Sequence, residues 1–140
     1  MQKEVFEVFE DFSQLKTRKE KIAFLQQKGS EIPAIKDICR GTYDDRLEFL
    51  LPAGKPPYKP NRPESVPSTL LREYRQFGDF VKGARSAGQP QFKIENRFIQ
   101  LLESIHAEDA LIVLGMVSKK TSVKGLTKKL VEEAFPKLLS

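Results

Sequence analysis

The chain has few of the residues on which disulfides, metal sites and membrane spans depend. It contains one cysteine, one histidine and no tryptophan in 140 residues. Cys39 stands alone and cannot form an internal disulfide, which favours a reducing, cytoplasmic setting. The longest apolar run, residues 110–117, is far too short to cross a bilayer. The first four residues form no apolar signal core, so we expect neither secretion nor membrane contact.

Motifs for enzyme chemistry are missing as well. No cysteine–histidine cluster has zinc-ligand spacing, and no glycine-rich loop ends in Gly-Lys-Ser/Thr. Two acidic pairs, Asp44-Asp45 and Glu108-Asp109, could ligate Mg²⁺, but a turn and a helix start explain them more simply. His106 is placed to start or cap a helix. We therefore expect no metal, no cofactor and no enzymatic activity, with a metal-dependent nuclease as the weaker alternative.

What the chain does have is mixed charge with a positive excess. Hydrophobic residues make up 39% and charged residues 31%, which is typical of a folded domain of this length. Residues 1–50 hold nine basic against ten acidic residues, residues 51–93 eight against three, and residues 94–140 seven against six. The net charge of +5 is thus uneven, which favours an anionic partner.

Hydrophobic periodicity predicts helices along most of the chain. The predicted helices cover residues 5–15, 17–29, 30–41, 68–83, about 98–105, 108–117 and 125–135. Thr17 with Glu20 forms a capping box for the second helix, and Ser30 caps the third. Six of the nine prolines fall within residues 52–67, which excludes helix there. A rigid connector is the simpler interpretation, and an arm that carries Lys55, Lys59 and Arg62 to phosphate is the alternative.

An internal repeat with an offset of 76 residues suggests a duplicated helical hairpin. A shift of 76 residues superimposes Ile22/Phe98, Leu25/Leu101, Ser30/His106, Ala34/Ala110, Ile35/Leu111 and Ile38/Leu114. The equal connection length in both copies favours duplication over chance. We predict a single all-α domain over 1–140, with pseudo-symmetric hairpin halves at about 1–51 and 68–140 and the Pro-rich connector at 52–67.

The most informative segment is residues 119–129, which joins the end of one predicted helix to the start of the next. It contains five lysines, Lys119, Lys120, Lys124, Lys128 and Lys129. A helix start carries unpaired N–H groups and partial positive charge, and Gly125 lets a phosphate oxygen approach the backbone. The segment therefore predicts a surface that holds the phosphate backbone of a nucleic acid.

Four stretches then carry a resemblance to a known family. They are Thr17-Arg-Lys-Glu-Lys-Ile-Ala-Phe-Leu-Gln-Gln-Lys, Ile35-Lys-Asp-Ile-Cys-Arg-Gly-Thr-Tyr, His106-Ala-Glu-Asp-Ala-Leu-Ile-Val-Leu and Gly125-Leu-Thr-Lys-Lys-Leu-Val-Glu-Glu-Ala-Phe-Pro. Their order resembles the N-terminal DNA-binding domain of ATP-dependent DNA ligases, in the compact form of T-even-type phages. The chain is also similar to a family of short proteins from T-even-like phages of marine bacteria, sharing Pro67-Ser-Thr-Leu-Leu-Arg-Glu-Tyr and Lys124-Gly-Leu-Thr-Lys-Lys.

The ligase resemblance implies an all-helical, pseudo-symmetric domain that grips duplex DNA across the minor groove through phosphates. By matching position, it assigns DNA contacts to Lys124, Gly125, Thr127, Lys128 and Lys129, and in the first half to Arg40, Gly41 and Thr42. The Lys-x-Asp-Gly motif that carries the adenylated lysine of a ligase is absent from this sequence. Nick sealing is therefore not expected.

Two functions remain open. The first is sequence-independent binding of intact or nicked duplex DNA, as a phage replication or repair accessory factor in the host cytoplasm. The alternative is a protein-interaction module that docks on a replication or transcription protein, such as a polymerase or clamp, or on a capsid component. Its best surface is the predicted helix at 68–82, where Tyr74, Phe77 and Phe80 lie beside Arg72 and Arg75. No small-molecule substrate is expected for either function.

Overall fold

The computed structural model describes residues 3–52, 56–62, 67–83 and 85–139. Its elements are α1 (Val5–Ser13), α2 (Arg18–Glu31), α3 (Pro33–Tyr43), α4 (Leu70–Glu73), a 3-10 helix (Tyr74–Phe80), α5 (Gln91–Ser104), α6 (Ala107–Val117) and α7 (Lys128–Ala134). Within these ranges there is no β-strand, only two isolated bridges, so the all-α prediction is confirmed for the part of the chain that is described. None of these helices is both long and apolar enough to cross a membrane.

The boundary between α2 and α3 differs from the prediction. The Thr17 hydroxyl accepts a hydrogen bond from the Glu20 amide at 3.2 Å, which confirms the predicted start of α2. The predicted end at Gly29 is wrong, because α2 continues to Glu31. A side chain at Gly29 would come within 2.6 Å of the Phe135 ring, so this glycine permits close packing. The predicted cap at Ser30 is also wrong, since its hydroxyl donates to a carbonyl oxygen inside α2.

The helix predicted over 68–83 is shorter and tighter than expected. Thr69 caps α4, and the α-helix gives way to a 3-10 helix after Glu73. Tyr74, Phe77 and Phe80 recur every third residue, which matches the three residues per turn of a 3-10 helix. Phe77 and Phe80 are both buried, so this period places them together against the core.

The hydrophobic core is built around α3 and α6, which pack against each other. Helix α2 packs on α3 and α5 on α6, while α1 covers α6 and α7 covers α2. The most deeply buried side chains come from most of these helices: Phe12, Leu25, Ile35, Ile38, Leu70, Leu101, Leu102, Val113 and Met116. Residues paired by the 76-residue offset are not equally buried at every position. Ile35 is fully buried, whereas its counterpart Leu111 is 43% exposed. The connections also differ, by one residue.

Candidate nucleic-acid interface

The structure brings the first-half positions 40–42, to which the resemblance assigns DNA contact, close to the lysine-rich segment 119–129. Residues 40–46 at the end of α3 lie against residues 119–129, between α6 and the start of α7. The Tyr43 hydroxyl donates to the Leu126 carbonyl at 3.1 Å, and the Lys128 ammonium lies 3.5 Å from the Asp45 carboxylate. We call the surface formed by these two segments the cationic face.

The cationic face has a net positive charge as large as that of the whole chain. Its two segments contain seven basic residues and two aspartates, a net charge of +5. The whole chain also has a net charge of +5, so the remaining residues balance to zero in sum. Six of the basic residues are exposed: Arg40, Arg46, Lys120, Lys124, Lys128 and Lys129.

A Schellman motif at the end of α6 sets the direction of the lysine-bearing loop. The Lys120 amide donates to the Gly115 carbonyl at 2.9 Å, and the Lys119 amide donates to the Met116 carbonyl at 3.1 Å. Lys119 has φ 60°, the left-handed conformation that glycine usually supplies at this position. A non-glycine residue here needs a compensating interaction, and the Lys119 side chain provides one.

The Lys119 ammonium ties the end of α6 to the end of α3. It donates to the Gly41 carbonyl at 2.6 Å and to the Asp44 carbonyl at 3.0 Å. A cation is favourable there, because the last carbonyls of a helix carry partial negative charge. Burial lowers the pKa of Lys119 despite the nearby carboxylates of Asp44 and Asp45. The assignment of Lys119 to a phosphate contact is therefore withdrawn, since its donors are turned inward.

Two first-half residues of the predicted site are also buried. A side chain at Gly41 would come within 2.6 Å of the Met116 sulfur, so this glycine allows α3 to approach α6. Thr42 is 3% exposed, and its hydroxyl donates to the Ile38 carbonyl at 2.7 Å. Both residues are buried and neither presents a side-chain donor to a phosphate, so both assignments are withdrawn. Arg40 remains, because its side chain is 47% exposed and 3.6 Å from the Asp44 carboxylate.

Gly125 and Thr127 have local structural roles. Gly125 has φ 86° at the third position of the turn over 123–126, where a positive φ is required. Thr127 accepts a hydrogen bond from the Leu130 amide at 3.2 Å and caps α7, which begins at Lys128 rather than at Gly125. Helix α7 has only seven residues. A phosphate-binding role would therefore rest on exposed lysine side chains and not on a helix start.

Asp44 anchors the turn after α3. Its carboxylate is 2% exposed and accepts hydrogen bonds from the Arg46 amide at 3.0 Å and the Arg46 guanidinium at 3.4 Å. Burial alone would raise the pKa of Asp44, but the hydrogen bonds and charge of Arg46, with Arg40, hold the pKa below its ordinary value. This carboxylate is thus committed to arginine pairing, which agrees with the simpler explanation of the Asp44-Asp45 pair as a turn.

Comparison with known proteins identifies a family but no function. The model of a family described as being of unknown function (DUF6433) matches residues 8–123. The chain belongs to this family. No curated protein and no solved structure matches it. The match to DUF6433 includes the packed hairpins and the turn after α6, whereas Lys124, Lys128 and Lys129 lie beyond the matched residues.

One basic residue beside the cationic face, Lys21, was not predicted from the sequence. A side chain at Gly125 would lie 3.0 Å from the Lys21 ammonium, so Lys21 adjoins the cationic face. Its ammonium is also 5.9 Å from the centre of the Phe12 ring. No local signal could have found Lys21, because its position depends on the packing of α2 against α7.

Proposed function

We propose that this chain is a non-enzymatic protein that binds duplex DNA through the phosphate backbone, largely without sequence preference. The observation that carries the proposal is the meeting of residues 40–46 and 119–129 in one exposed surface with a net charge of +5. Cations that contact phosphate release bound counterions, and this release supplies the affinity for DNA of any sequence.

The residue types on this surface favour backbone contact over base reading. Four of its six exposed cations are lysines, which act as mobile point charges on long side chains. Base reading in the major groove instead uses arginine, asparagine or glutamine in bidentate contact with base edges. The two segments contain no asparagine or glutamine. Binding should therefore depend strongly on salt and weakly on sequence.

The ligase resemblance gives the proposal its finer form. The hairpins α2–α3 and α5–α6 pack through α3 and α6, an arrangement that supports a pseudo-symmetric frame of the ligase type. On this view the duplex, intact or nicked, is held as in a ligase DNA-binding domain but without a catalytic partner. The biological role would be that of an accessory factor in phage replication or repair in the host cytoplasm.

The test is a titration of labelled duplex DNA by fluorescence anisotropy over a salt series. With five phosphate contacts, log K should fall with log salt at a slope of about −4 to −5. The Lys124→Glu, Lys128→Glu double variant should weaken binding of all sequences alike and flatten the slope by about two units. The Lys93→Glu, Arg97→Glu variant is the matched control, because it makes the same charge change on exposed positions of α5. Equal affinity for DNA in the wild type and the face variant would contradict the proposal.

The protein-docking alternative has weaker support. Its surface depends on aromatic residues of the 3-10 helix, yet Phe77 is 7% and Phe80 1% exposed. Phe80 packs edge-on against Phe98 with ring centres 5.3 Å apart, as a core residue does. A stable, salt-resistant complex with one protein from nuclease-treated lysate, together with no DNA binding by the purified chain, would favour this alternative.

A further inference from the structure

A cleft of about 570 Å³ lies beside the cationic face, between α3 and the 3-10 helix. Its walls are mainly apolar and include two half-buried aromatic rings, Phe49 and Tyr74. Clefts of this size, with apolar walls and a few polar groups, are typical of sites for small organic groups. The cationic face by itself does not account for this feature.

The rim of the cleft is positive. The described residues that line it include four cations, Arg40, Arg75, Lys82 and Arg85, and the carboxylate of Asp37. Arg40 and Arg85 are each paired with a further carboxylate, that of Asp44 and that of Asp79. In the part of the chain that the structure describes, the side chains of Arg75 and Lys82 have no hydrogen-bond or ion-pair partner. Two spare cations beside apolar walls favour a ligand that combines an anionic group with an apolar body.

A third cation of the rim is held in place. The Arg85 guanidinium donates to the Arg75 carbonyl at 3.0 Å and to the Asp79 carboxylate at 3.1 Å. It also lies on Gly78, where any side chain would come within 2.5 Å of its nitrogen. The missing side chain at Gly78 therefore makes room for this guanidinium. A fixed planar cation can stack on a flat ring or bind a phosphate with little loss of entropy.

A nucleotide unit combines the features that the cleft would recognise. Its base is a flat ring that stacks on aromatic side chains and guanidinium groups, and its phosphate pairs with cations. Its ring N–H groups could donate to a carboxylate such as that of Asp37. In double-stranded DNA the bases are stacked on each other, so only an unpaired base could enter.

We propose that this cleft seats one unpaired nucleotide of a DNA strand whose duplex part lies on the cationic face. The proposal rests on the proposed function and names its preferred substrate, a duplex with a single-nucleotide flap. Arg40 connects the two surfaces, because it belongs to the cationic face and also lines the cleft. A phosphate bound at Arg40 would join the stacked duplex to the base in the cleft.

The test compares intact duplex with the same duplex bearing one unpaired 2-aminopurine nucleotide. The flap should bind about 5- to 150-fold more tightly, the range expected for stacking of one base on an aromatic side chain. The 2-aminopurine fluorescence should fall on binding, because stacking quenches it. Tyr74→Leu and the Arg75→Gln, Lys82→Gln variant should each remove most of the preference for the flap. The matched control Lys124→Gln, Lys128→Gln should weaken both DNAs equally.

The outcomes separate this proposal from the proposed function. Equal binding of both DNAs with unchanged 2-aminopurine fluorescence would overturn the cleft proposal and leave duplex binding intact. No binding of either DNA would overturn both. Displacement of the flap DNA by an equal concentration of a free mononucleotide would assign the cleft to small nucleotides and so overturn its assignment to DNA. Circular dichroism melts of each variant separate loss of binding from loss of folding.

Discussion

Asp109 at the start of α6 offers a direct test of how burial controls stability in this fold. The residue has no exposed surface, and its Oδ1 accepts a hydrogen bond from the Phe6 amide at 2.8 Å. Its Oδ2 has no hydrogen-bond partner in the part of the chain that is described. Burial raises the pKa of Asp109 to about 7, against the Phe6 hydrogen bond and with help from Glu4, Glu7 and Glu108.

The sign of the pH effect follows from this shift. In the unfolded chain the Asp109 carboxyl has its ordinary pKa of 3.8, so the folded state binds the proton more tightly. The stabilisation of the folded state by protonation of Asp109 is complete below pH 3.8 and is lost as the pH rises through about 7. The difference between a pKa of 3.8 and one of about 7 corresponds to at most about 4 kcal/mol. Relaxation and water entry reduce such effects, so we expect a loss of about 2 kcal/mol between pH 5 and pH 8.

Asp109→Asn removes the titrating group and keeps an oxygen that can accept from Phe6. The change in the free energy of unfolding between pH 5 and pH 8 should then be about 2 kcal/mol smaller than in the wild type. Urea denaturation followed by circular dichroism at several pH values measures this difference. Glu132→Gln is the matched control, because that side chain is exposed and is not among the carboxylates that raise the pKa of Asp109. Parallel pH profiles for Asp109→Asn and the wild type would refute the reasoning.

Three further predictions concern the same packing. Lys119→Met removes both hydrogen bonds to the end of α3 and should lower the free energy of unfolding by about 1–3 kcal/mol, measured by urea denaturation. Gly115→Ala should destabilise the fold by about 1–3 kcal/mol, despite the better helix propensity of alanine, because its methyl group would lie 2.9 Å from the Lys120 carbonyl. Gly115→Ala should also weaken DNA binding, because it displaces the lysine-bearing loop that follows α6. For the Lys119 prediction, Lys119→Gly retains the turn and tests the loss of the side chain alone. Cys39 should resist alkylation in the native protein at pH 8, because burial raises its pKa to about 12; rapid labelling without denaturant would contradict this.

The lysine-rich segment illustrates how one pattern can contain two kinds of residue. Lys124, Lys128 and Lys129 are exposed, as a phosphate-binding role requires. Lys119 has the same residue type and lies in the same segment, but its ammonium is bound to two carbonyl oxygens. Only its φ of 60° and its contact with α3 distinguish it, and neither can be seen in a list of basic residues.

Glycine residues also have two structural roles that the sequence does not distinguish. Gly29 and Gly41 each come just after the last residues of a helical apolar pattern, so the sequence predicts a helix end at both. Both lie inside helices, where a side chain would meet the Phe135 ring or the Met116 sulfur. Gly125 has the positive φ that a turn needs. A glycine that permits packing and a glycine that permits a turn look alike in sequence, because the difference lies in a distant partner.

The sequence by itself determined the all-α class and the starts of two helices, α2 and α6. The Thr17 cap and the His106 cap act within one helical turn, so their signals lie within a few neighbouring residues. The tertiary structure alone decided which cations face solvent, which carboxylate is buried and where the cleft lies. Lys21 beside Gly125, Lys119 on α3 and Arg40 beside Tyr74 are brought together across many residues by the packing of helices. Burial and long-range contact depend on the whole fold, and no short pattern contains them.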